Sequence, residues 1–209
     1  NKMDEKLQYI YSLYPHAQCE LHYQTIFQLL IAVVLSAQTT DARVNQATEK
    51  LFFKFPDAHL LKNASLKEVE EIIKSIGMYK VKAKHLLEIA KIIDEKYHGE
   101  VPKNKEDLLQ LPGVGNKTAN VILAEGYKIP ALPVDTHIHR IAKRLKYADI
   151  EDSVEVVEEK LKKAIEPENW IQMHHSLIFF GRYFCKAKQP ECDKCQLKDQ
   201  CQKEYKPLK

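Results

Sequence analysis

Four cysteines near the end of the chain, Cys185, Cys192, Cys195 and Cys201, follow a C-x6-C-x2-C-x5-C pattern. Thiolates are soft ligands, and four this close in sequence require a metal centre. Spacing alone allows a four-thiolate zinc site or an iron–sulfur cluster. A second pair of groups lies upstream. Lys117 comes two residues after Gly115 in LPGVGNKTAN, and Asp135 opens DTHIHR eighteen residues after the lysine. A lysine on the first turn of a helix is electrostatically unusual, because the helix N-terminus already carries partial positive charge. That field, with partial burial, would lower the pKa of the amine and make it a better nucleophile at neutral pH. A surface lysine touching phosphate is the plainer account. Asp135 at a helix start is, taken alone, most simply an N-cap.

The elements that must position these groups are helical. Apolar periodicity and stop signals predict helices over 3–14, 25–38, 41–55, 65–77, 79–99, 104–111, 116–126, 135–146, 153–165 and 169–184. The second of these is apolar almost all round and reads as a core helix. Ser65 and Glu68 stand at capping-box spacing, and Gly99 reads as a C-cap. No stretch alternates with period two, so an all-α fold without a sheet is expected. Between 104–111 and 116–126 lies PGVG. Pro112 stops one helix, while Gly113 and Gly115 permit positive φ and close approach by another backbone around Val114. The unpaired N–H groups that start the next helix suit a phosphate. A plain corner with glycine caps fits a bare PGxG as well.

Composition narrows the class. The chain has 209 residues, a net charge of +3, 44% hydrophobic and 29% charged residues, an ordinary globular balance. Any nucleic-acid face must therefore come from local placement of charge. The longest apolar run, LLIAVVL at 29–35, is far short of the roughly 18 residues of a membrane span. No signal-peptide core opens the sequence, so an intracellular, cytoplasmic protein is expected, nucleoid-associated in a bacterium. An odd count of five cysteines in a reducing compartment argues against a disulfide framework. The last 25 residues hold four of those cysteines and little apolar content, so that tail needs a metal or cluster to fold.

LPGVGNKTAN and VDTHIHR together, with LLIAVVLSAQTTD before them and the four cysteines after, resemble the endonuclease III family of base-excision DNA glycosylases. LPGVGxxTA by itself is similar to the helix-hairpin-helix of DNA repair proteins. The resemblance runs over nearly the whole chain. It implies a helix-hairpin-helix glycosylase fold of two helical domains with an active-site cleft between them. One would be a contiguous six-helix domain over 19–130, ending in the helix-hairpin-helix. The other would combine 1–18 with 131–209 and carry the cluster loop. The family's catalytic lysine and aspartate fall on Lys117 and Asp135, which would face each other across the cleft. The cysteine spacing matches the loop that carries a [4Fe–4S] cluster in this family. The implied substrate is double-stranded DNA with one damaged base, and the protein is expected to act as a monomer.

The same resemblance assigns residues to the DNA. Gly113, Val114 and Gly115 grip the backbone. Gln38, in LSAQTTD, fills the gap left by the flipped nucleotide, and Asp41 lines or supports the cleft. Met78 stands where the family usually has a leucine wedge; methionine is among the apolar residues that wedge base steps, and a buried core methionine is the alternative. Lys186 and Lys188 are placed, by their position on the first cysteine loop, to meet phosphate, with a solvated loop as the equal alternative. Lys80, Lys82 and Lys84 read as phosphate contacts or as a solvated face. His137 and His139 receive no catalytic role. His174 and His175 read as packing and capping residues, Arg140 and Arg144 as structural, and Cys19 as an inert packed thiol.

By the same resemblance, the adenine glycosylase branch shares the fold and the aspartate but lacks this lysine and only removes the base. Lys117 therefore implies the branch of bifunctional glycosylases and apurinic/apyrimidinic lyases for oxidised pyrimidines. The competing readings are a monofunctional glycosylase for a mismatch or another lesion, and a non-catalytic DNA-binding protein. The latter would lack the lysine or the aspartate. An electron carrier would leave most of the chain without purpose.

Overall fold

The computed structural model describes residues 3–202. Among them there are helices and turns and no strand, as the periodicity requires. The order is α1 (Glu5–Leu13), α2 (Ile26–Leu35), α3 (Asp41–Lys54), α4 (Ala58–Lys62), α5 (Leu66–Ile73), α6 (Tyr79–Tyr97), α7 (Lys105–Leu109), α8 (Asn116–Val121), α9 (Thr136–Arg144), α10 (Val154–Ala164) and α11 (Trp170–Phe179). α8 and α11 each run on into one π-helical turn, Ile122–Gly126 and Phe180–Phe184.

Helix starts are fixed locally. Asp4, Thr25, Thr40, Asp57, Ser65, Asn104, Asp135 and Ser153 each accept the backbone N–H three residues on, the N-cap bond that satisfies an otherwise orphaned donor. Ser65 caps Glu68 as its spacing foretold, whereas the Glu68 carboxylate pairs with Lys54 at 3.1 Å. α4 is absent from the sequence reading, because five residues carry too little periodicity to be seen. At the end of α6 the left-handed cap is His98, at φ 54°, with Gly99 following at φ 88°.

The chain divides into two compact units. One is contiguous, Glu20–Tyr127. Its centre is α2, buried from Phe27 to Leu35, and each fully buried Leu or Ile there contributes about 1.5–3 kcal/mol. The one polar side chain in that run, Gln28, is satisfied: it donates to Pro56 O at 3.0 Å and accepts the Gln24 N–H at 2.9 Å. The other unit takes the chain up to Cys19 and again from Lys128 onward. Its core joins Leu7 and Ile10 of α1 to Ile138 and Ile141 of α9, Leu161 of α10, and Met173, Leu177 and Phe180. Ser176 donates to Tyr14 O at 2.9 Å, and Lys6 donates to Leu145 O at 2.6 Å, so α1 is tied to the later chain by polar bonds as well.

Candidate active site and cysteine cavity

The hairpin between α7 and α8 is where two glycines stand close together. Gly113 has φ +74°, and a Cβ there would lie 2.7 Å from His85 Nδ1. Both facts demand glycine. Gly115 differs from expectation: its φ of −101° suits any residue, and nothing lies within 4 Å of a Cβ built on it. The fold does not require glycine at 115, and the space in front of α8 is open. Val114 is buried and donates its N–H to Leu111 O at 3.1 Å, pinning the loop from inside.

Lys117 is on the first turn of α8. It is exposed, against the partial burial expected of it, and no hydrogen bond or ion pair engages its amine among the described residues. Asp135 is half-buried and caps α9, its Oδ1 accepting the Ile138 N–H at 2.8 Å. The plain N-cap role is thus real, and it leaves Oδ2 for other work. The two residues belong to different units.

Gln38 is exposed and left-handed, at φ 58°, in the turn between α2 and α3. Asp41 is half-buried as the first residue of α3. Met78 is 64% exposed, also at φ 58°, and precedes α6; the core-methionine alternative is gone. Lys80 and Lys84 are exposed, but Lys82 is not part of a solvated face. It is buried, and its Nζ donates to Leu35 O, Ala37 O and Thr39 Oγ1 at 3.1, 2.7 and 3.4 Å. Alternation of lysine with apolar residues gave no sign of this, because the acceptors lie about forty-five residues earlier, at the end of α2 and in the turn after it.

Cys185, Cys192, Cys195 and Cys201 line one cavity of about 180 Å³, closed on its inner side by Phe180, Phe184 and Leu197. Leu197 is buried in the unit's core, so the tail has one apolar anchor besides its thiols. Donors already face the sulfurs: Arg144 Nη1 lies 3.3 Å from Cys185 Sγ, and the Leu197 N–H 3.4 Å from Cys195 Sγ. Burial pushes the Cys195 thiol up, the other three cysteines add to the rise, and the Leu197 N–H opposes it, so the four sulfurs share one field. Arg144 also donates to Lys186 O at 2.8 Å, and Arg140 Nη2 to Gly181 O at 2.6 Å and Cys185 O at 3.1 Å. Among the described residues no His, Cys, Asp or Glu group is drawn together around a single ion. Lys186 pairs with Glu191 at 3.5 Å, and Lys188 is exposed.

His139 is fully buried, and its ring meets the backbone of Asp152 only outside strict hydrogen-bond geometry. Burial lowers its pKa first and Lys143 second, with Asp152 acting the other way. His174 is buried with Nδ1 3.0 Å from Pro133 O, a packing role as read from the sequence.

A family model for the HhH-GPD superfamily of base excision DNA repair proteins matches residues 31–167. Endonuclease III of Bacillus subtilis is 46% identical over 196 residues, spanning 93% of this chain and 89% of its own. The chain belongs to the endonuclease III family. Two solved structures accompany that assignment, both 46% identical to this chain. A non-covalent endonuclease III–DNA complex has a TM-score of 0.92, covering 94% of this chain and 92% of that one. A trapped endonuclease III–DNA covalent intermediate has a TM-score of 0.91 with the same coverage. The resemblance carried by LPGVGNKTAN and VDTHIHR is borne out, as is the all-helical helix-hairpin-helix glycosylase fold. Within this endonuclease III family chain, sequence reasoning missed the buried donor role of Lys82 and the steric role of His85. The only sign of the latter was a glycine whose neighbour in space could not be read.

Proposed function

We propose that this protein is a base-excision repair enzyme, a bifunctional DNA N-glycosylase and apurinic/apyrimidinic lyase that acts on oxidised pyrimidines in duplex DNA. The observation that carries the reading is Lys117: an unpartnered, exposed amine at the head of a hairpin whose Gly115 leaves open space before it. A trapped covalent intermediate of a 46% identical relative with DNA supports it.

The damaged nucleotide leaves the stack, at a cost of a few kcal/mol that is smallest for a damaged base. Lys117 attacks C1′ as the free amine. The C1′–N bond breaks, and the base departs with the electron pair. Asp135, through Oδ2, takes a proton from the amine or offsets positive charge on the sugar. Ring opening gives the Schiff base. Loss of a C2′ proton then expels the 3′ phosphate by β-elimination and nicks the strand. Gly113, Val114 and Gly115 hold the backbone, with Lys188 and Lys186 as further phosphate contacts. Gln38 and Met78 enter the space that the base vacates, and Asp41 supports that edge.

The four cysteines hold a [4Fe–4S] cluster, whose chemistry here is to cross-link the C-terminal loop. Donation by Arg144 and the Leu197 N–H toward sulfur suits thiolate ligands. No helix among the described residues is long and apolar enough to cross a membrane; the protein works in the cytoplasm, on the chromosome.

Borohydride trapping tests the mechanism. With a duplex carrying one oxidised thymine, a covalent protein–DNA band is expected that Lys117→Gln abolishes. An undiminished band in that variant would end the Schiff-base reading. Free base without a band would make the enzyme monofunctional.

A further inference from the structure

Lys82 is 7% exposed and sits on the first turn of α6. An ammonium has three donors and no acceptor, and here they face three oxygens, Leu35 O, Ala37 O and Thr39 Oγ1. No carboxylate pairs with it among the described residues. Its charge lies instead at the end of α2, where the last carbonyls carry partial negative charge.

Ala37 and Thr39 flank Gln38. The ammonium therefore holds both sides of a left-handed, exposed residue. The backbone N–H of Lys82 donates to Met78 O at 3.0 Å, and Met78 is the other exposed left-handed residue of this face. A Cβ built on Gly77 would stand 4.0 Å from Thr39 Oγ1, so the two turns are neighbours. Non-glycine residues at positive φ are uncommon and persist where their surroundings fix them. One buried side chain does the fixing for the first turn, and its own amide for the second. Rigidity of this frame matters more here because methionine has three rotatable bonds. Whatever stiffness an inserting Met78 has must come from the backbone beneath it.

We propose that Lys82 is a positioning residue that holds Gln38 and Met78 as one rigid pair of probes, presented together to the duplex at the damaged nucleotide. The inference rests on the DNA-contact roles given to those two residues above.

A double-mutant cycle tests it. Lys82→Met keeps the length of the side chain and removes its donors. The readout is single-turnover base release from a duplex with one oxidised thymine, divided by nicking of single-stranded abasic DNA, which needs no opening. We expect this ratio to fall about tenfold in Lys82→Met, the size of coupling usual for residues in contact. In a Gln38→Ala Met78→Ala background the same substitution should change it less than about twofold. An equal fall in both backgrounds would overturn the proposal, since a general loss of stability acts alike in each. So would an unchanged ratio. If Lys82→Met does not hold its fold at the assay temperature, Thr39→Val removes a single acceptor and is judged by the same criterion. Absence of both base release and nicking in the unaltered protein would instead overturn the glycosylase reading.

Discussion

Asp135 Oδ1 accepts the Ile138 N–H at 2.8 Å, so the carboxylate that is proposed to act on the substrate also caps the helix that carries it. The two roles separate by substitution. Asparagine caps as well as aspartate, so Asp135→Asn should melt within a few tenths of a kcal/mol of the parent while base release slows about a hundredfold or more. Asp135→Ala should lose the cap too, at about 1 kcal/mol. Thermal melts beside single-turnover base release check both; full base release by the Asn variant would remove Asp135 from the mechanism.

The two hairpin glycines should answer alanine differently. Gly113→Ala meets both a positive φ and His85 Nδ1 at 2.7 Å, so it should destabilise by about 1–3 kcal/mol. Gly115→Ala has an ordinary φ and open space, so its stability should stay within about 0.5 kcal/mol. Its affinity for duplex DNA should nevertheless drop, because the new methyl group enters the ligand's side of the loop. Equal affinity of Gly115→Ala and parent in a titration would contradict that.

Arg144 reaches Cys185 Sγ and the carbonyls of Lys186 and Ala187. Arg144→Leu leaves these acceptors without their donor, at a cost of about 1–3 kcal/mol. The variant should lose its absorbance near about 400 nm faster than the parent on storage in air. Matching decay curves would show that the guanidinium does not protect the loop.

His139 gives a pH dependence. Burial, aided by Lys143, lowers its folded pKa below the usual value. The unfolded chain therefore binds the proton more readily. The stability that His139 allows is full above about pH 6.5, and it is lost as pH falls through that value toward the lowered folded one. Burial of the ring also carries a desolvation cost that the Asp152 backbone offsets only in part. His139→Leu should raise stability by about 1 kcal/mol at neutral pH, roughly 2–4 °C in Tm, and flatten the acid limb. An unchanged acid limb in melts from pH 7.5 to 5 would assign it to other groups.

Much of this architecture is legible in the sequence because its determinants are local. Ser65, Thr40 and Asp135 announce helix starts through bonds three residues long, and the run from Phe27 to Leu35 announces a core helix by its unbroken apolarity. LPGVG marks the hairpin, and the cysteine spacing marks a metal loop. What escaped depends on partners far along the chain. Lys82 looks solvated until the carbonyls of residues 35 and 37 are placed over it. Gly113 and Gly115 look alike until His85 is placed beside one of them. His139 breaks an otherwise apolar pattern, and only packing reveals that it is sealed. The π-helical turns after α8 and α11 leave no trace, since the apolar pattern hardly changes when one bond shifts from i−4 to i−5.

The division of the chain into one contiguous unit and one split unit has a consequence for biosynthesis. On the ribosome, α1 emerges while the residues it shares a core with, such as Ile138 and Leu177, are still untranslated. At about 5–20 residues per second the wait is roughly 6–25 s for Ile138 and roughly 8–33 s for Leu177. Glu20–Tyr127 has no such delay: every partner of α2 in its core has emerged by the time Tyr127 clears the exit tunnel. The nascent chain should therefore gain protease resistance in two steps, first over its middle and only at the end over its amino-terminal helix. Arrested ribosomes carrying chains cut off after residue 160, and chains in which residue 209 is followed by a linker long enough to span the exit tunnel, would display the order directly.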